Sequence, residues 1–229
     1  TVCVAHAGTH ELSVINMPKV FEKLGKIPVD AKAAAEQPAK KDDRGIYASA
    51  TWADVPNDLA FLVDLRQRVR LQGNGPRGVA VVGNKAYVTQ YFTDNVAVVD
   101  LAAKPEKQVA TIALGPAPKM TIQRRGEMLF NDGTICFQHW QSCASCHPDG
   151  RTDVLNWDLM NDGVGNTKST RSMVLAHQTP PSMFEGVRPD SEAAVRAGLE
   201  NILFSTQSDE VVESLNGYIR LLQPVPSPH

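Results

Sequence analysis

A chain of 229 residues with 42% hydrophobic content carries enough apolar material for one large core or two modest ones. Its 23 basic and 25 acidic residues leave a formal charge of −2, too balanced to favour nucleic acid or an anionic membrane through a general field. No apolar run approaches the roughly 18 residues that span a bilayer, and Thr1-Val2-Cys3-Val4 carries neither an initiator Met nor a basic leader, so Thr1 reads as a processed or trimmed end.

Residues 1 to 116 read as strands. Cys3 to Asn16 lies in register, without gaps, on Tyr87 to Asp100, and each copy is two short strands about a polar turn. Leu59-Ala60-Phe61-Leu62-Val63-Asp64-Leu65 matches the second half of that unit as a third, partial copy. The turns Gly75-Pro76-Arg77-Gly78 and Gly115-Pro116 punctuate the pattern. Short strands recurring in this way are the mark of a propeller array, with an ordinary antiparallel sandwich as the alternative. The polar stretch 17–58, with Ala31 to Glu36 and Lys40-Lys41-Asp42-Asp43, reads as a surface insertion holding one short helix.

From Ala117 the period changes. Lys119 to Phe130, Ser191 to Phe204 and Glu210 to Leu222 space their apolar residues as helices, with Ser191 and Asp209 as candidate N-caps. The Pro-rich tail 223–229 cannot continue a helix and looks cut at a domain boundary. The expected architecture is multidomain β + α: partial β-propeller blades over 1–116, then a mainly α-helical domain over 117–222, which the C-x-x-C-H motif at Cys143 to His147 marks as cytochrome c-type.

Cys143-Ala144-Ser145-Cys146-His147 is C-x-x-C-H, the attachment motif for a covalent c-type haem. Thiols three apart on one helical turn face the same side and can bond both vinyl groups, and the adjacent histidine supplies the proximal iron ligand. The competing reading is structural zinc, because Cys136-Phe137-Gln138-His139 extends the set to C-x2-H-x3-C-x2-C. A zinc site leaves His147 without a role. Thioether formation needs reduced thiols on an exported apoprotein, which points to a periplasmic or cell-surface location. Cys3 and Cys136 remain as buried thiols or as a disulfide.

Around the motif, the residues carry two resemblances. Tyr87-Val88-Thr89-Gln90 with Val96 to Leu101 resembles the YVTN family of seven-bladed propellers. Gly126-Glu127-Met128-Leu129-Phe130-Asn131-Asp132, then Asn166 to Ser172, Pro181 to Gly186 and Ser191 to Val195, resemble segments of the bacterial di-haem cytochrome c peroxidases and MauG proteins. That second resemblance implies a haem oxidoreductase passing electrons to peroxide or a related oxidant. Members carry two haems, whereas this sequence has one C-x-x-C-H. It thus implies a redox partner or second haem domain, and the short blade count implies another chain completing the propeller.

The resemblance also implies roles for single residues. Met183 falls where some members place an axial methionine, and His177 competes for the same sixth position, with Met160 and Met173 behind them. Glu192 falls at the members' distal acid, as a candidate for moving a peroxide proton, and Gln178 is a candidate for positioning the peroxide or a water. Trp140 and Trp157 flank the motif as wall residues, and Asp158, Asn161 and Asp162 form a candidate Ca2+ site. Two other functions compete: an electron-transfer cytochrome without chemistry of its own, and a propeller interaction protein with structural zinc.

Overall fold

The computed structural model describes residues 1–36, 49–159 and 163–226. Strands β1 (Val2–His6) and β2 (Glu11–Ile15) form an antiparallel hairpin, and β3 (Arg66–Arg70) joins the outer side of β2. The register sets Ala5 opposite Leu12 and Leu12 opposite Val69, so one face of this sheet is mainly apolar, with Gln67 opposite Val14 as its polar member. Strands β4 (Pro76–Val82), β5 (Lys85–Gln90), β6 (Asn95–Asp100) and β7 (Lys107–Ala113) follow as a four-stranded antiparallel meander. Along β5 the buried Ala86, Val88 and Gln90 alternate with Lys85, Tyr87 and Thr89, the period of two that a half-buried strand requires. Leu12, Val14, Val69 and Leu71 close on Ala86, Val88, Ala97 and Val99 in one core.

Mixed antiparallel sheets and helices are therefore present, but the described strands make three separate sheets, of three, four and two strands, and no closed ring of blades. The third repeat is also corrected. Residues 59–65 run as successive turns, with Asp58 accepting from the amide of Ala60 and its carbonyl from that of Phe61. An aspartate that hydrogen-bonds the following backbone competes with strand pairing, and the strand begins only at Arg66. The insertion holds more order than one helix: α1 (Met17–Leu24), capped by Asn16, α2 (Ala31–Glu36), and a 3-10 turn over Trp52–Asn57. Lys40 to Asp43 lie outside the described residues.

Beyond the sheets, α3 (Ile122–Phe130), α5 (Ser191–Asn201) and α6 (Asp209–Ile219) enclose a second core of Leu129, Phe130, Leu199, Leu203, Val212 and Leu215. One helix start and two caps sit apart from the sequence reading. Thr121 caps α3 by accepting from Arg124, so the helix starts at Ile122 rather than Lys119. Asp190 and Ser208, in extended conformation, precede α5 and α6, which makes Ser191 and Asp209 first helical residues instead of caps. Helix α5 stops at Asn201, and Phe204 turns left-handed at φ +49°, where α-helix cannot continue.

Sheets and helices meet across polar contacts. His10, at the tip of the β1–β2 hairpin, accepts from the amide of Gly75 at Nδ1 (3.0 Å), which leaves its proton on Nε2, 3.2 Å from Asp132 Oδ1. Gly133 N donates to Gly8 O at 2.8 Å, and Arg124 reaches the carbonyl of Tyr91 at 2.7 Å. Burial pushes the Asp132 carboxyl up, but the His10 ring and the amide and hydroxyl of Thr134 outweigh it and hold the group below the usual carboxylate range. Its contribution to stability is present above the unfolded carboxyl value and is lost as pH falls through the lowered folded one. Asp132→Asn will remove that acid-side dependence and cost about 1–3 kcal/mol at neutral pH, read as a lower urea midpoint with a flatter pH profile.

Candidate functional site

The C-x-x-C-H residues occupy one helical turn and its exit. Ser142 and Ser145 bond each other's backbone and side chain at the start of α4 (Cys143–Cys146), with Ser142 N donating to Ser145 Oγ at 2.9 Å. Such short helices are marginal alone, so this reciprocal cap is what holds the turn. The amide of His147 closes it on Cys143 O at 2.9 Å. Cys143, Cys146 and His147 then line a single cavity of about 380 Å³, the size class of small-molecule and cofactor sites.

His147 is oriented by the backbone. Its Nδ1 lies 2.9 Å from Arg171 O and 3.3 Å from Arg151 O. Carbonyls only accept, so the proton is on Nδ1 and Nε2 carries the lone pair of a metal-ready tautomer. Burial lowers the His147 pKa, outweighing the two carbonyls and Asp153, which raise it, so the ring stays neutral near pH 7. Burial pushes the Cys143 thiol up to about 12, with Cys146 and Cys136 adding to it. Cys146 is raised by burial and then by Asp153.

The walls come from segments far apart in sequence. Phe130 of α3 supplies one wall, Leu215 and Ile219 of α6 another, and Val195, Gly198 and Leu199 of α5 a third. Strands β8 (Asn156–Trp157) and β9 (Lys168–Ser169) pair to carry Trp157, Thr170 and Arg171 to the rim. The Trp157 indole is fixed by Asp153 at 2.8 Å, whereas Trp140 lies exposed outside the lining. Gln141, which donates to Ile202 O at 2.9 Å, and Ser182 are lining residues that sequence reasoning gave no role; Gln141 belongs to no motif or periodic face, and Ser182 falls only within the Pro181 to Gly186 segment.

Of the candidate sixth ligands, Met183 and Met173 line the cavity and His177 does not. The His177 Nε2 lies 3.2 Å from Gln178 Nε2, and Gln178 is likewise outside the lining. Glu192 also lies outside it, on the first turn of α5, more than half exposed and 3.9 Å from Arg220. Among the described residues no aspartate or glutamate lines the cavity. Glu192→Gln will therefore shift stability by less than about 0.5 kcal/mol and leave optical changes on ligand addition to the cavity unaltered. Asp158 spends its carboxylate on the amides of Gly165 and Asn166, while Met160, Asn161 and Asp162 lie outside the described residues.

The zinc alternative is not assembled. Cys136 is buried in the helical core with its thiol toward Phe137 O, and His139 is exposed. Among the described residues no group of three or more His, Cys, Asp or Glu is placed to hold a metal ion. Cys3 sits at the sheet core and Cys136 at the helical one, both as free thiols rather than a disulfide.

No family model matches the chain. It is 33% identical over 122 residues to hydrazine synthase subunit gamma of Kuenenia stuttgartiensis, across 48% of this chain and 35% of that subunit, so it spans about a third of the curated relative's length. It is also similar to a solved chain of Kuenenia stuttgartiensis hydrazine synthase pressurized with 20 bar xenon, at 30% identity and a TM-score of 0.42, over 49% of this chain and 40% of that one. The curated relative corrects the resemblance to di-haem peroxidases, MauG proteins and YVTN propellers: the sequence similarity found runs to a subunit of a hydrazine synthase.

Proposed function

We propose that the chain is a haem c redox component of a multi-subunit oxidoreductase, with Cys143 and Cys146 as thioether anchors and His147 Nε2 as the proximal ligand. The observation that carries this reading is the convergence of both thiols and the imidazole on one cavity, the imidazole held with its lone pair on Nε2 by two backbone carbonyls. The residues fit the group in other respects. Phe130, Val195, Leu199 and Ile219 supply an apolar wall for a macrocycle, and hydroxyls and cations gather at Thr170, Arg171 and Lys168 for a polar edge. Bound there, haem supplies one-electron chemistry.

The protein's part is to fix the ring of His147, exclude water with the α3, α5 and α6 walls, and present a thioether from Met183 or Met173 toward the same space. A thioether from either methionine would favour electron transfer over proton-coupled substrate chemistry within this chain, as does a cavity wall without a carboxylate among the described residues. The relative is a subunit of a hydrazine synthase, which supports partner chains for this protein as well. We place the haem unit over 117–222 and the strand unit over 1–116, and the protein in the periplasm or at the cell surface, where thioether attachment takes place. An optical spectrum with an alkaline pyridine haemochrome assay tests this. The expected result is one c-type haem per chain with low-spin bands on reduction; a purified chain with no covalent haem rejects it.

A further inference from the structure

We propose that the Arg171 guanidinium binds a propionate carboxylate of the haem seated in the cavity, an inference that rests on the haem reading above. Two residues with cationic side chains line the cavity, Lys168 and Arg171, and among the described residues no acidic one does. A wall of that composition suits a ligand with an apolar body and an anionic edge. The two cations are not equivalent. Lys168 donates to Asn166 O at 2.7 Å and lies 5.3 Å over the Phe184 ring. The Arg171 guanidinium has no hydrogen-bond or ion-pair partner among the described residues, although its own carbonyl holds the proximal imidazole.

Its backbone is pinned on successive residues. Thr170 N donates to Leu155 O at 3.2 Å, Thr170 O accepts from the Thr152 hydroxyl at 3.0 Å, and Arg171 O accepts from His147 at 2.9 Å. A planar fork of donors anchored this close to the iron ligand meets a carboxylate bidentately, and such charge-assisted pairs are the strong ones. Arg151 provides the contrast. Its carbonyl also faces His147, at 3.3 Å, but its side chain does not line the cavity.

The test is the reduction potential of the haem-bearing protein as a function of pH, for wild type, Arg171→Gln, Arg171→Lys and Arg151→Gln, each with its haem counted. A cation near the haem edge favours the reduced state and the ionised propionate. Arg171→Gln should therefore lower the potential and move the propionate step to higher pH, Arg171→Lys should retain most of the wild-type behaviour, and Arg151→Gln should match wild type. Curves for Arg171→Gln that superimpose on wild type, or an equal shift in Arg151→Gln, overturn the assignment. Wild-type protein without covalent haem overturns the underlying reading as well, whereas one haem per chain with an unmoved potential overturns the Arg171 role alone.

Discussion

Replacing both Cys143 and Cys146 with alanine will reduce covalent haem from one per chain to none, measured by haem stain after denaturing electrophoresis and by pyridine haemochrome. Each single variant will keep one linkage and give a haemochrome band displaced toward that of a haem with one free vinyl group. The chain tolerates the change well. Both thiols are half-buried, and their raised pKa values mean that they are neutral before attachment, so no ion pair is broken. Deleting a small side chain there costs about 1 kcal/mol, and the serine cap of α4 is untouched. Haem that survives denaturation in the double variant would place its attachment elsewhere and remove the central claim.

Gly126→Ala will have the largest effect on the fold. A Cβ at this position would lie 1.9 Å from Ser214 O and 2.8 Å from the Tyr218 Cβ, so α3 and α6 could not keep their contact. The obstacle is backbone and cannot rotate away. Forced separation of the helices costs about 3 kcal/mol, against which alanine's better helix preference returns about 1 kcal/mol, leaving a net loss of roughly 2 kcal/mol in denaturant unfolding. The same variant couples stability to the site, because Phe130 on α3 and Leu215 and Ile219 on α6 are cavity walls. Wild-type stability in the alanine variant would show that the two helices are not packed through this glycine.

Several features were legible in the sequence because they are local. The C-x-x-C-H turn, the β5 and β6 alternation and the change to helical spacing after Ala117 each depend on residues within one element. The caps of α5 and α6 missed by a single residue, since adjacent polar pairs, Asp190-Ser191 and Ser208-Asp209, offer two candidates and only backbone conformation chooses between them. Residues 59–65 are apolar enough for a strand, and Asp58 diverted them into turns. Glu192 was placed by resemblance and His177 by residue type, neither by geometry, and the fold leaves both outside the cavity. The stretch Gly126 to Asp132, read as a family signature, has separate physical tasks: close helix approach at Gly126, packing at Leu129 and Phe130, and the contact of Asp132 with His10. That last pairing joins residues 122 positions apart, which no local pattern reveals.

The two carbonyls facing His147 Nδ1 have a consequence for how the protein can diverge. Because they belong to the main chain at residues 151 and 171, any side chain may occupy those positions without altering the imidazole tautomer. Charge beside the cavity and orientation of the ring are thus inherited separately: single substitutions can retune the first over many steps, while the second changes only when an insertion, deletion or proline reroutes the chain.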